Sequence, residues 1–211
     1  MTPREADRAA AERLMNVSRE TWARLDAYVA LLDKWQATTN LVAPSTLEAV
    51  WTRHVADSAQ IMTLAPAHAT VWVDFGSGAG FPGLVVAALR PDIRVHLVES
   101  NGKKAAFLRE AARAMGVEAL VHGARAEAIA GSAVTSADVV SARALAPLAD
   151  LVRLAAPLLK TGAVGLFPKG REAEAELTVT AKSWNVEASL HPSLTEPDAR
   201  IVRIDRFLGP R

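Results

Sequence analysis

The run Asp74-Phe-Gly-Ser-Gly-Ala-Gly-Phe-Pro-Gly83 constrains this chain more than any other segment. It closes the apolar stretch 71–75 and precedes a second apolar stretch whose first turn Pro82 suits, so it reads as a strand-turn-helix junction. Glycines at 76, 78 and 80 let the backbone turn tightly with no Cβ between main chain and ligand, and the opening helix offers N–H groups to an anion. The pattern downstream agrees with a doubly wound α/β sheet. Strands are predicted at 71–75, 93–98, 119–122, 137–141 and 163–167, separated by helices near 82–89, 101–115, 125–130 and 147–159. The end of the chain differs: 184–190 and 200–207 both alternate, with Pro192 and Pro197 between them, which predicts a closing antiparallel hairpin.

Upstream of the junction the pattern is helical. Trp22, Leu25, Tyr28, Val29 and Leu32 fall on one helix face with Ser18 as its cap, and Ser45-x-x-Glu48 is a capping box predicted to open a helix running to about Met62. The expected organisation is therefore a helical segment, 1–66, packed on a Rossmann-like domain, 67–211.

The loop does not by itself name its ligand, because Gly78-x-Gly80-x-x-Gly83 also satisfies the dinucleotide fingerprint. Glu99 ends the second predicted strand, where a carboxylate can accept hydrogen bonds from both hydroxyls of a ribose. Loop and acid together imply an adenosine-containing ligand, and both S-adenosylmethionine and NAD qualify.

Composition closes other routes. With no cysteine there is no disulfide, no thiolate-bound zinc and no thiolate nucleophile, so cysteine-dependent base methylation is excluded. The charged start of the chain and the shortness of its longest uncharged mid-chain stretch, 59–73, predict a cytoplasmic protein without a membrane span. A net charge of +1 makes no argument for a nucleic-acid partner.

Taken together, the glycine loop, Glu99 and the closing hairpin are similar to class I S-adenosylmethionine-dependent methyltransferases. More narrowly, the chain resembles the RsmG (GidB) family, which methylates guanine N7 in 16S ribosomal RNA. The pieces that carry this resemblance are Asn40-Leu-Val, Arg53-His54-x-x-Asp57-Ser58, Gly76-Ser-Gly-Ala-Gly-Phe-Pro-Gly83, Gly102-Lys-Lys104 before Phe107-Leu108, Arg125-Ala126-Glu127, Ser141-x-Arg143-Ala144 and Pro168-Lys169-Gly170. The resemblance implies S-adenosylmethionine as cofactor, no metal, and 16S ribosomal RNA, naked or within the small subunit, as partner. Gly76, Phe81, Ala126, Glu127 and Arg143 are the cofactor residues it implies, joining Asp74, Gly78, Gly80 and Glu99 from the loop and strand end.

Neither Asn-Pro-Pro-Tyr nor Asp-Pro-Pro-Tyr follows the fourth strand, which argues against amino-group methylation of adenine or cytosine. Guanine N7 carries no proton, so its methylation needs no general base and no acid/base residue is assigned. Arg143, Lys169 and His54 are expected to position the reactants. Candidates for RNA contact are Arg53, Lys103, Lys104, Lys169, Arg171 and Arg203. Two other readings stay open: a methyltransferase for a small molecule or protein, and a non-catalytic RNA-binding or ribosome assembly factor on the same fold.

Overall fold

The computed structural model describes residues 1–211. Helix α1 (Pro3–Leu14) opens on a capping box, Thr2 accepting from Glu5 N–H while Glu5 accepts from Thr2 N–H. Helix α2 (Arg19–Gln36) starts as predicted on Ser18, whose hydroxyl accepts from Thr21 N–H, and it buries Leu25, Tyr28, Val29 and Leu32.

The Ser45–Glu48 box does not open a helix. Pro44–Thr46 is a single 3-10 turn, and the helical segment begins only at Trp51, with π-helical turns over Trp51–Ala56, one α turn, α3 (Asp57–Ala59), and a 3-10 stretch over Gln60–Leu64. The physical reason is a cap supplied from elsewhere. The Asp7 carboxylate on α1 accepts from Trp51 N–H at 2.8 Å, Thr52 N–H at 3.3 Å and the Thr52 hydroxyl at 2.5 Å. A carboxylate at a helix start satisfies orphan N–H groups and complements the helix dipole better than a serine hydroxyl.

Five parallel strands follow: β1 (Val71–Phe75), β2 (Arg94–Val98), β3 (Ala119–His122), β4 (Val139–Ala142) and β5 (Val164–Lys169). The antiparallel β6 (Trp184–Pro192) and β7 (Arg200–Pro210) complete a seven-stranded sheet of order β3-β2-β1-β4-β5-β7-β6. The helices between them are α4 (Gly83–Leu89), α5 (Gly102–Met115), α6 (Ala126–Ile129), α7 (Leu148–Leu159) and α8 (Ala173–Ser183). Of these, α8 had no sequence signal: it buries only Ala173 and Thr180.

Alternation along β1 sends its side chains to two cores. Trp72 joins Leu25, Leu84 and Phe107 on the face covered by α2, α4 and α5, so the amino-terminal helices share a core with the sheet. Val73 and Phe75 join Leu148, Phe167 and Ile204 on the other face. Strand order reverses at β1, which pairs with β2 on one side and β4 on the other, and a crevice at such a reversal is where open α/β sheets bind ligands. No helix of the protein is long and apolar enough to cross a membrane.

Candidate active site

The glycine loop lies at the carboxyl end of β1. Gly76 has φ +62° and Gly78 φ +55°, and a Cβ on Gly76 would come within 2.6 Å of Leu145 Cδ1. At Gly78 the surroundings are open, so there the positive φ, rather than crowding, requires glycine.

Asp74 is fully buried and lies beneath the loop, away from the three cavities that border Ala144. Its Oδ1 accepts from the Ser141 hydroxyl at 2.8 Å, itself bonded by the Trp72 indole, and its Oδ2 accepts from Gly83 N–H at 3.3 Å. Burial pushes its carboxyl up to about 6, against hydrogen bonds that pull it down. Gly80 also turns inward, where Tyr28 and Leu84 occupy the space a Cβ would need. Asp74 and Gly80 thus shape the loop from below.

Glu99, at the end of β2, ties the loop to the neighbouring strand. Its Oε2 accepts from Gly78 N–H at 2.9 Å and its Oε1 from Asn101 N–H at 2.7 Å. A carboxylate offers about four lone-pair sites, so acceptor capacity remains. The sheet edge brings Glu99 together with Gly76, Gly78, Ala126 and Glu127 around a cavity of about 410 Å³. A second cavity, about 330 Å³, is lined by His54, Gly76, Phe81, Lys104 and Arg143, and a third, about 380 Å³, by Arg53, Asp57, Arg143, Lys169, Glu196 and Arg200. Ala144 borders all three and holds φ +55°, a backbone region that side chains rarely adopt.

Arg143, just beyond β4, organises the wall between the second and third cavities. Its Nε pairs with Asp57 at 3.2 Å, and one terminal nitrogen donates to Arg53 O and to His54 Nδ1, both at 2.9 Å. Guanidinium only donates, so Nδ1 is an acceptor and the imidazole proton sits on Nε2, bonded to the Thr46 hydroxyl at 2.8 Å. The ring stacks on Phe81, with centroids 5.0 Å apart. Burial first, and then the charges of Arg143 and Arg53, lower the His54 pKa to about 3. At neutral pH His54 is an uncharged ring with both nitrogens engaged.

The remaining wall was not visible in the sequence. Gln60 donates to Asp57 at 2.8 Å and to Ser193 at 3.1 Å, and accepts from Leu194 N–H at 2.7 Å; the Thr195 hydroxyl also donates to Asp57, at 2.7 Å. These bonds clamp the β6–β7 connection over the third cavity. Lys169 is held too: its ammonium meets Glu176 and the Ala146 carbonyl, both at 2.7 Å, and Glu176 also accepts from Leu148 N–H. Among the candidates for RNA contact, Arg53 pairs with Glu196 and Arg203 with Asp205, whereas Lys103, Lys104 and Arg171 enter no ion pair.

A family model described as rRNA small subunit methyltransferase G, GidB, matches residues 21–202. The chain belongs to the GidB family. A protein of that printed name from Methylobacterium sp. strain 4-46 is 53% identical over 214 residues, covering 100% of this chain and 99% of the relative. Another from Bradyrhizobium sp. strain BTAi1 is 55% identical over 203 residues, covering 95% and 91%. Among solved structures, cofactor-bound Rv0187 from MTB superposes with a TM-score of 0.59 at 16% identity, over 98% of this chain and 99% of that one. The fibrillarin/Nop5p complex gives 0.57 at 14% identity, over 74% and 82%. At those identities the likeness is one of fold, that of class I methyltransferases.

This GidB chain is an S-adenosylmethionine-dependent methyltransferase, and its residues fit that cofactor. The glycine cradle leaves main chain bare beside a cavity of ligand size, and a strand-end carboxylate borders it.

Proposed function

We propose that this GidB protein methylates N7 of a guanine in 16S ribosomal RNA, and that it does so by positioning alone. The observation that supports the reading is that the proton acceptors around the second and third cavities are all engaged. His54 is bonded at both nitrogens, Asp57 is held by Arg143, Gln60 and Thr195, Glu176 by Lys169 and Leu148 N–H, and Glu196 by Arg53. Such a site suits an acceptor that gives up no proton when it attacks.

The cofactor, when bound, supplies a methyl group on a positively charged sulfur. Glu99 would receive the ribose hydroxyls, the backbone at Ala126 and the Glu127 carboxylate would meet the adenine, and the bare main chain of Gly76 and Gly78 would allow close approach, with Phe81 lining the adjoining cavity. Asp74 and Gly80 act by shaping the loop. Arg143 stands between the cofactor cavities and the third cavity, which receives the guanine. The guanidinium directs its remaining N–H groups to guanine O6, a phosphate or the carboxylate end of the cofactor. It cannot bond N7, whose lone pair is the attacking group. His54 and Lys169 hold this wall through Arg143 and through the segment joining β4 to α7. The 1–66 segment acts as a wall of the catalytic domain, and the substrate is ribosomal RNA, as naked 16S or in the small subunit.

The test is mass mapping of 16S ribosomal RNA from cells with and without the protein. One 7-methylguanosine should disappear with it, and an unchanged map overturns the assignment. Labelled methyl transfer to deproteinised 16S RNA and to intact subunits then identifies the accepted form.

A further inference from the structure

The solvent face of α5 carries cations that the fold leaves unused. Arg109 and Arg113 stand four residues apart on that face, both exposed, and neither enters an ion pair. Arg113 sits in the last turn, where a cation complements the helix dipole, but Arg109 has no such role, and like charges at this spacing destabilise a helix by a few tenths of a kcal/mol. Arg109 makes one long bond, 3.5 Å, to the Val121 carbonyl on the edge strand β3.

Arg94 joins them from the first residue of β2. The three guanidinium groups border a groove of about 720 Å³ whose apolar lining includes Ile93, Val117 and Leu120, the last 50% exposed. Two acids share the groove. Asp92 is neutralised by two bonds from Arg90, at 2.8 and 2.6 Å, while Glu118 is unpaired. Glu110 lies on α5 between the two arginines in sequence and makes no ion pair. The groove keeps a surplus of positive charge over an apolar floor.

Along the same helix, Lys104 lines two of the cofactor cavities, and Lys103 precedes it in the first turn. From Lys103 to Arg113 the helix advances about 15 Å, roughly four steps of a stacked nucleic-acid strand. We infer that α5 and the Arg94–Arg109–Arg113 groove form a second RNA-docking surface, which takes the phosphodiester backbone of the substrate RNA several nucleotides away from the target guanine. Guanidinium groups grip the phosphates, and the floor around Leu120 accommodates the face of a base. This rests on the reading of the protein as an RNA methyltransferase. It differs from the sequence-based expectation in its path: Arg53, Lys169 and Arg203 are held by carboxylates of the protein itself, whereas this face is free.

The test is Arg109→Gln/Arg113→Gln, placed on an exposed helix surface where glutamine is a good helix former, so the fold should survive. Methyl transfer to ribosomal RNA is measured as a function of salt, alongside cofactor affinity by calorimetry. We expect KM for RNA to rise about tenfold, with kcat and cofactor affinity unchanged, and the salt slope of RNA binding to fall by about 2. Arg109→Lys/Arg113→Lys should restore most of both. Wild-type activity on RNA combined with an unchanged KM and salt slope in the Gln variant overturns the surface while leaving the methyltransferase reading intact. A raised KM for assembled subunits alone, with no change of slope on naked RNA, also overturns it and transfers the groove to a ribosomal protein. Failure of the wild type to methylate any RNA removes the underlying reading, and this surface with it.

Discussion

The two sides of the active site are built by different kinds of bond. On the cofactor side, backbone groups of neighbouring strands extend the sheet's own hydrogen bonding: Ser77 N–H reaches Val98 O and Glu99 N–H reaches His122 O, each at 3.0 Å, while Glu99 holds Gly78. On the opposite side, side chains from distant segments meet. Arg143 bonds His54 across 89 positions and Thr195 bonds Asp57 across 138. The first wall inherits the rigidity of the sheet. The second can be cut one residue at a time while the sheet persists, and this predicts different outcomes for substitutions on the two sides.

The largest effect belongs to the backbone wall. Gly76→Val places a β-branched side chain where φ is +62° and where even a Cβ would lie 2.6 Å from Leu145. Strain of this kind costs on the order of 1–3 kcal/mol, and the side chain enters the space the ligand needs. Affinity for S-adenosylmethionine, read by calorimetry on folded protein, should fall by about 100-fold or more. A loss smaller than tenfold would detach the loop from the cofactor.

On the side-chain wall, Asp57→Asn keeps acceptors for Gln60 and Thr195 but removes the charge opposite Arg143. Both partners are mostly buried, with side-chain exposures of 15% and 20%, so the unpaired guanidinium should cost about 2 kcal/mol, a fall in Tm of roughly 4–8 °C. The same variant separates the two walls a second way: cofactor affinity should change less than about threefold while KM for RNA rises. An equal loss of both would show that the two walls are not separable.

The same division governs what could be read from the sequence. Strand ends, the glycine loop and Glu99 follow from local periodicity and turn chemistry, whereas Ala126 and Glu127 were legible only through the family resemblance; the structure brings Glu99, Gly76, Gly78, Ala126 and Glu127 around one cavity. Arg53, His54 and Asp57 were legible as neighbours on one helix, but their partners were not. Thr46, Gln60 and Glu176 have no motif of their own, and they matter only because the fold brings them near Asp57, His54 and Lys169. The Ser45–Glu48 box failed for the same reason, since the cap comes from Asp7, 44 positions before Trp51. Ala144 gives no warning of its positive φ, because alanine is an ordinary residue in any other conformation.

The smallest expected effect is the most specific to the mechanism. His54→Gln removes the only imidazole at the site, yet that ring is neutral and engaged at both nitrogens, so methyl transfer under single-turnover conditions should stay within about tenfold of wild type. Neither protein should show an inflection near pH 6.5. An inflection there in the wild type that vanishes in the variant, with a loss above about 10²-fold, would restore His54 as a proton-transfer residue. Stability gives an independent reading. Because the folded-state pKa of His54 is about 3 against an ordinary 6.5, the unfolded chain binds a proton in that interval which the native protein does not. The His54 contribution is therefore complete above about pH 6.5 and drains away as pH falls, with a slope approaching 1.4 kcal/mol per pH unit. Asp74 acts in the opposite sense: raised from 3.8 to about 6, it favours the native state as pH falls through that window. His54→Gln leaves the Asp74 effect in place and removes the His54 slope. Chemical denaturation between pH 7.5 and 5 should thus show the variant losing less stability on acidification than the wild type, and parallel curves would mean that His54 titrates normally in the folded protein.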